Sequence, residues 1–168
     1  MTQFSKILIG LIVVLCFSLG TQAQVKTINN TPDKSYTVLQ EMDIAMKKPP
    51  GFTNSDCFSG FQYKPNGTSI MADKVPVVYQ EAALNFTKEL FEQQGFKMLD
   101  RKELKINGKD AVFCKIRQTQ EGEYYHKYML AYPFGQETLI VSGVFAEYLD
   151  DQMSQVVEKS ILSVVRTD

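Results

Sequence analysis

Past residue 75 the apolar positions switch between a helical and a strand period. Tyr79, Ala83, Phe86 and Leu90 recur at steps of four, three and four, which sets them on one helix face. This predicts a helix from about Pro76 to Gln94, closed by Gly95 in a left-handed cap. Next come four runs with strand character: "FKMLDRKELKI", "KDAVFCKIRQ", "YYHKYMLAY" and "ETLIVSGVFA". Asn107-Gly108 joins the first two, a strong hairpin signal, and would pair Lys105 with Asp110 and Leu104 with Ala111. A turn at Glu121-Gly122 would set His126 opposite Arg117 and Cys114 opposite Met129. The chain then turns at "PFGQ" and ends in a second helix with the stripe Met153, Val156, Val157, Ile161 and Val164. Asp150 opens that helix, where its carboxylate can accept from free amides.

Earlier signals are shorter. Tyr36, Val38, Ile44 and Met46 suggest extended chain, ended by Pro49 and Pro50, which cannot donate to a ladder. "CFSGFQYK" and "TSIMADKV" flank "PNG", where Asn66-Gly67 can supply a tight turn. Residues 24–34 are polar without a period and read as a flexible leader. A single domain is expected over residues 35–168.

Short connections make the four-strand run antiparallel. In "YYHKYMLAY", Tyr124, Tyr128, Leu130 and Tyr132 share one face, and Tyr125, Met129 and Ala131 the other. A sheet apolar on both sides needs cover on both. The fold class predicted is α+β: a three-layer α/β/α sandwich with a central antiparallel sheet and one main helix on each face. Gly143 marks a bend or a close approach to another element.

The order "PPGF", hairpin, helix, "NGKDAVF" hairpin, meander and a last helix ending "SILSVV" resembles the Mog1/PsbP-like fold, including bacterial envelope proteins similar to DcrB. That resemblance spans residues 36 to about 165 and rests on strand and turn features. It implies a non-catalytic accessory or binding domain, and it carries over no binding residue.

The first residues change the compartment. The apolar run from Ile7 to Leu19 is shorter than the roughly 20 residues a helix needs to cross a bilayer. Lys6 precedes it and Thr21-Gln22-Ala23 ends it, the pattern of a secretory signal cut after Ala23. Residues 1–23 are read as a signal peptide, and the style is bacterial. Leu15 before Cys16 argues against lipidation there, and an uncleaved anchor is the other alternative. The product is expected in the periplasm or outside the cell, with no stable membrane span after cleavage. Cleavage removes Lys6 and no acid, taking the formal charge from −1 to −2. Neither a basic face for nucleic acid nor a polybasic membrane patch is present. The N-x-S/T triplets at Asn29, Asn66 and Asn85 are read as chance.

Chemistry is sparse. His126 is the one histidine. As a general base or metal ligand it would need partners, and no motif supplies them, so it reads as an ordinary polar residue on a sheet face. A Cys114–His126 dyad fails on register, because the odd offset sends the two side chains to opposite faces. No nucleophile elbow, phosphate loop or calcium loop is present. No catalytic residue, cofactor or metal is assigned.

What remains is aromatic. Phe61 and Tyr63 near the first hairpin, and Tyr124, Tyr128 and Tyr132 on one strand, either pack beneath a helix or anchor a partner. Cys57 and Cys114 would both remain in an oxidising compartment. They could form one bridge, but two buried free thiols need no approach of their strands and are preferred. The function expected is an exported non-catalytic binding or accessory domain of the bacterial envelope, docking a protein or small-molecule partner. A hydrolase whose acids converge only in the fold is the alternative, and a purely structural envelope component is a third reading.

Overall fold

The structure is a computed structural model that describes residues 25–167. The segment 1–23, expected to be a signal peptide, and Cys16 within it lie outside the described residues. The elements are β1 (Lys26–Ile28), β2 (Tyr36–Leu39), β3 (Ile44–Lys47), β4 (Thr53–Asn54), β5 (Gly60–Tyr63), β6 (Thr68–Val75), α1 (Tyr79–Leu84), α2 (Lys88–Gln93), β7 (Lys97–Ile106), β8 (Lys109–Gln120), β9 (Glu123–Phe134), β10 (Glu137–Ala146), α3 (Asp150–Ile161) and β11 (Val165–Arg166). Eight strands form one sheet in the order β1-β7-β8-β9-β10-β6-β5-β4, and β11-β3-β2 form a second.

The meander β7 to β10 is antiparallel, and its registers follow from its turns. Asn107 and Gly108 both take positive φ, 50° and 76°, the two left-handed residues that a type I′ turn requires. Lys105 pairs with Asp110 and Leu104 with Ala111, as the Asn-Gly signal predicts. Glu121 (φ 53°) and Gly122 (φ 86°) repeat the geometry, so His126 faces Arg117 and Cys114 faces Met129.

Three expectations are corrected. Residues 24–34 are not all a trailing leader. β1 pairs in parallel with Leu104–Ile106 of β7, and the Asn30 side-chain amide donates to the carbonyls of Leu162 (2.8 Å) and Val164 (3.2 Å). The large sheet is therefore mixed, not purely antiparallel. The helix predicted from Pro76 to Gln94 is two six-residue helices. The chain leaves α1 at Asn85 and becomes extended at Thr87, whose hydroxyl accepts from the Leu90 amide at 3.4 Å and starts α2. The break re-phases the apolar stripe. Phe91 is buried where Leu90 was expected, and its ring meets Phe86 edge-on at 5.9 Å.

β8 shows how the sheet divides the interior. Ala111 and Phe113 belong to a large cluster with Tyr128, Leu130, Val157 and Ile161. Val112, Cys114 and Ile116 belong to a separate cluster with Phe86 and Phe91. Successive strand residues point to opposite faces, so each face has its own core. Over the larger one, α3 is joined by Leu39, Ile44 and Met46 of the small sheet. Gly143 is a close approach. A Cβ there would overlap Val157 Cγ1 and come within 3.2 Å of Ile161 Cδ1, so its missing side chain lets α3 lie directly on β10.

Candidate functional site

Two places have the character of a site, one on each face of the large sheet. On the α3 face, strand alternation sends His126 and Tyr128 inward, and both are buried. The turn between β10 and α3 brings acids to them. His126 Nδ1 lies 2.9 Å from Asp150 Oδ1, and Nε2 lies 3.3 Å from Glu147 Oε1. Arg117, paired with His126 across the ladder, reaches Glu147 at 3.4 Å and covers the Tyr124 ring at 4.5 Å. The Tyr128 hydroxyl shares a 2.7 Å hydrogen bond with Ser154. Lys115 lies 4.6 Å over the Tyr128 ring and binds Glu158 at 2.6 Å.

The electrostatics follow from that packing. Burial pushes the Tyr128 hydroxyl above the usual phenol range, against its Ser154 hydrogen bond and the Lys115 charge. Burial pulls the Lys115 ammonium down, but the Glu158 hydrogen bond and the surrounding negative groups outweigh it, so its affinity for the proton rises. Both ring nitrogens of His126 already face carboxylates, and Ser154 bonds to Tyr128 rather than to the imidazole. A general base needs a free nitrogen within reach of the proton it takes. The arrangement fastens β8 and β9 to the start of α3. Asp150 thus serves as the partner of His126 and makes no side-chain cap to α3, whose N-cap position is Leu149. No group of three or more His, Cys, Asp or Glu suited to a metal occurs among the described residues.

The opposite face is only partly covered. Six residues of helix extend about 9 Å, while β8 and β9 are each twelve residues long, about 40 Å. α1 and α2 therefore roof part of the sheet and leave a groove of about 680 Å³ toward β10 and β6. Its floor is Met71, Met129, Ile140 and Val75, with Ala82 and Phe86 of the helical segment on one wall and Phe58 on another. Asp73, Asn85, Lys127 and Ser142 supply its polar groups. The volume and apolar lining suit a small ligand or a few side chains of a partner, and three methionines (Met42 is the third) give a surface that can re-pack.

The sequence-derived candidates fall elsewhere. Phe61, Tyr128 and Tyr132 are core residues, at most 2% exposed, and cannot be docking anchors. Tyr63 is half-buried and stacks on Phe52 at 5.4 Å. Of the five, only Tyr124 is exposed, beneath Arg117. Cys57 and Cys114 are both free, and Cys57 is exposed while Cys114 is buried. That corrects the bridge, and it corrects the paired buried thiols for Cys57. Burial, opposed by the charges of Arg101 and Lys127, pushes the Cys114 thiol up to about 12. Cys114 and His126 sit on opposite faces, as the register requires. The groove had no sequence signal, because its lining comes from six separate segments. No helix among the described residues is long and apolar enough to cross a membrane.

No family model and no curated protein matches the chain. Solved structures do. The Ran-binding protein Mog1p of Saccharomyces cerevisiae superposes with a TM-score of 0.58 at 13% identity, covering 82% of this chain and 97% of its own. LpqN of Mycobacterium tuberculosis, described as involved in cell envelope biogenesis, gives 0.56 at 12%, covering 84% and 89%. Cyanobacterial PsbP from Synechocystis gives 0.54 at 10%, covering 78% and 91%. The fold is Mog1/PsbP-like. These matches carry the fold and not the narrower likeness to DcrB.

Proposed function

We propose that this chain is an exported, non-catalytic accessory domain of the bacterial cell envelope that docks a partner in the groove beside α1. The observation that carries the reading is the half-roofed sheet face, where Met71, Met129 and Ile140 line an open apolar channel. Exposed apolar concavities of this kind mark binding sites. Export rests on the signal-like segment that ends at Ala23. The absence of catalysis rests on the two carboxylates that face the ring nitrogens of His126. The layering that goes with it is α1 and α2 on one face of the large sheet and α3 on the other, supported by the two separate cores. A protein partner accords with the Ran-binding description of Mog1p, and an envelope setting with that of LpqN.

The test compares two forms of the processed protein in its own envelope fraction. A photo-crosslinker at position 71 should capture one partner, and Ile140→Asp should abolish that capture while far-ultraviolet circular dichroism and the thermal midpoint stay near wild type. Undiminished capture by a folded Ile140→Asp variant would remove the groove from the proposal. Hydrolysis of ester or glycoside reporters, lost on substitution of one acid, would overturn its non-catalytic part.

A further inference from the structure

The groove has one charge toward each end, and neither is matched. Asp73 faces Ile140 across β6 and β10, and Lys127 faces Val144 across β9 and β10. Four residues along β10 and two strand spacings put them about 17 Å apart on the same face. Met71, Met129 and Ile140 lie between. Among the described residues no ion pair involves Asp73 or Lys127, although ten other lysines and arginines, together with His126, are drawn into such pairs or onto rings. Lys74, next to Asp73 in the chain, points to the other face and binds Asp43 at 3.1 Å.

Building on the docking groove proposed above, we infer that the occupant is an extended peptide segment of a partner protein, apolar over about five residues, with an acidic side chain at one end and a basic one at the other. The charged ends that flank five extended residues lie six steps, about 20 Å, apart, within side-chain reach of two groove charges about 17 Å apart. Lys127 is half-buried and lines the groove together with Met129 and Ile140. An ammonium held in partly desolvated surroundings without a counter-ion gains more from an incoming carboxylate than a fully solvated one does. Asp73 offers the complementary attraction to a base. A fatty acid could satisfy Lys127 alone and would bring its apolar tail toward Asp73, whereas a segment charged at both ends uses both residues. The methionine floor tolerates variation in the apolar side chains, so the two end charges set which segments bind.

The experiment uses the processed chain and fluorescein-labelled, end-capped peptides read by anisotropy. The reference probe is Glu-Leu-Ala-Val-Ala-Leu-Lys. Its controls carry Glu at both ends, Lys at both ends, or Ser in place of the apolar residues. The mixed-charge probe should bind about fivefold tighter than either like-charged probe, in line with partly exposed ion pairs, and the serine form should not bind. Lys127→Glu should weaken the mixed probe and favour the Lys/Lys probe, and Asp73→Lys should favour the Glu/Glu probe. Lys127→Gln, a milder change, should only flatten the preference. Equal affinities for all charge patterns, no binding of any probe, or displacement of the mixed probe by tighter-binding dodecanoate would overturn the inference. Ile140→Asp separates the two levels. If it abolishes capture of the cellular partner while the charge rule fails, the groove stands and the peptide does not. If it leaves that capture intact, the docking groove itself falls.

Discussion

Nδ1 of His126 lies 2.9 Å from Oδ1 of Asp150, so the buried imidazole of β9 is held by the first turn of α3. Glu147, just before that turn, faces the other ring nitrogen at 3.3 Å. Asp150→Ala should cost about 1–2 kcal/mol, because it leaves a buried polar ring with one partner lost. Glu147→Ala should cost less, about 0.5–1 kcal/mol, since its contacts to His126 (3.3 Å) and Arg117 (3.4 Å) are longer than the Asp150 contact. Urea unfolding gives both numbers. A double-mutant cycle with His126→Asn should show coupling for the Asp150 pair, and independence of the two substitutions would remove the fastening role.

Asn30 ties the N-terminal segment to the end of α3. Its side-chain amide donates to the carbonyls of Leu162 and Val164, and its backbone amide donates to Asn107 Oδ1 at 2.7 Å. Asn30→Ala should destabilise by about 1–2 kcal/mol through two lost hydrogen bonds. Amide exchange should quicken over β1 and the 162–165 stretch before the meander changes. Unaltered exchange there would return residues 26–30 to the role of a passive leader.

The meander could be read from the chain because its registers are local. Two left-handed residues at Asn107-Gly108 and two at Glu121-Gly122 set the pairings from β7 to β9, up to the bulge between Met98 and Asp100 that shifts the start of β7 by one residue. β1, β11 and the small sheet could not, since each strand there is two to four residues long and most find their partners far along the sequence. Alternation placed Tyr128 and Tyr132 on one face correctly, yet it cannot tell a covered face from a bare one. Those rings therefore looked equally fit for core or surface until α3 and the small sheet were located. The partners of His126 lie 21 and 24 residues away, beyond any motif.

Gly143 should tolerate no side chain. Gly143→Ala would drive a Cβ into Val157 Cγ1 and should cost about 1–3 kcal/mol as α3 is pushed off β10. Val157→Ala creates a cavity of its own and costs about 1–2.5 kcal/mol. The double variant should be less destabilised than the sum, because the removed methyls make room for the added one. Strict additivity by thermal unfolding would show that the helix accommodates the added methyl in another way.

Alkaline pH should weaken the fold earlier than ordinary cysteine and tyrosine titration predicts. Burial raises the Cys114 thiol from 9.0 to about 12, so well below pH 9 the thiol is protonated in both states and contributes nothing to the pH dependence. Between about 9 and 12 the unfolded thiol ionises first, binds fewer protons than the folded one, and stability falls by about 1.4 kcal/mol per pH unit. Tyr128 and Tyr132, raised above 10.0 by burial, act in the same direction at higher pH. Lys115, also raised, loses its contribution as pH climbs through its folded value. From pH 9 to 10, wild type should lose about 1 kcal/mol more than Cys114→Ala. Parallel slopes of urea midpoint against pH would contradict the buried thiol.

The two thiols should react on very different timescales. β5, which follows Cys57, is separated from β8 by β6, β10 and β9, about 19 Å from strand to strand. A disulfide needs Cα atoms within about 7 Å, so no small adjustment joins Cys57 to Cys114. Cys57 is exposed, and its backbone amide donates to the Ser55 hydroxyl at 3.1 Å in an open loop. Cys114 lies beneath Phe86 and Phe91 and stays a thiol at neutral pH. A thiol reagent added to the native, unreduced protein at pH 8 should therefore label one cysteine per chain within minutes, and peptide mapping should identify Cys57. The second should follow at the rate of global unfolding, because reaction at Cys114 requires the short helices and the sheet to part. Labelling of neither thiol after denaturation without reductant would mean that the pair is bridged and that β5 and β8 lie closer than four strands apart.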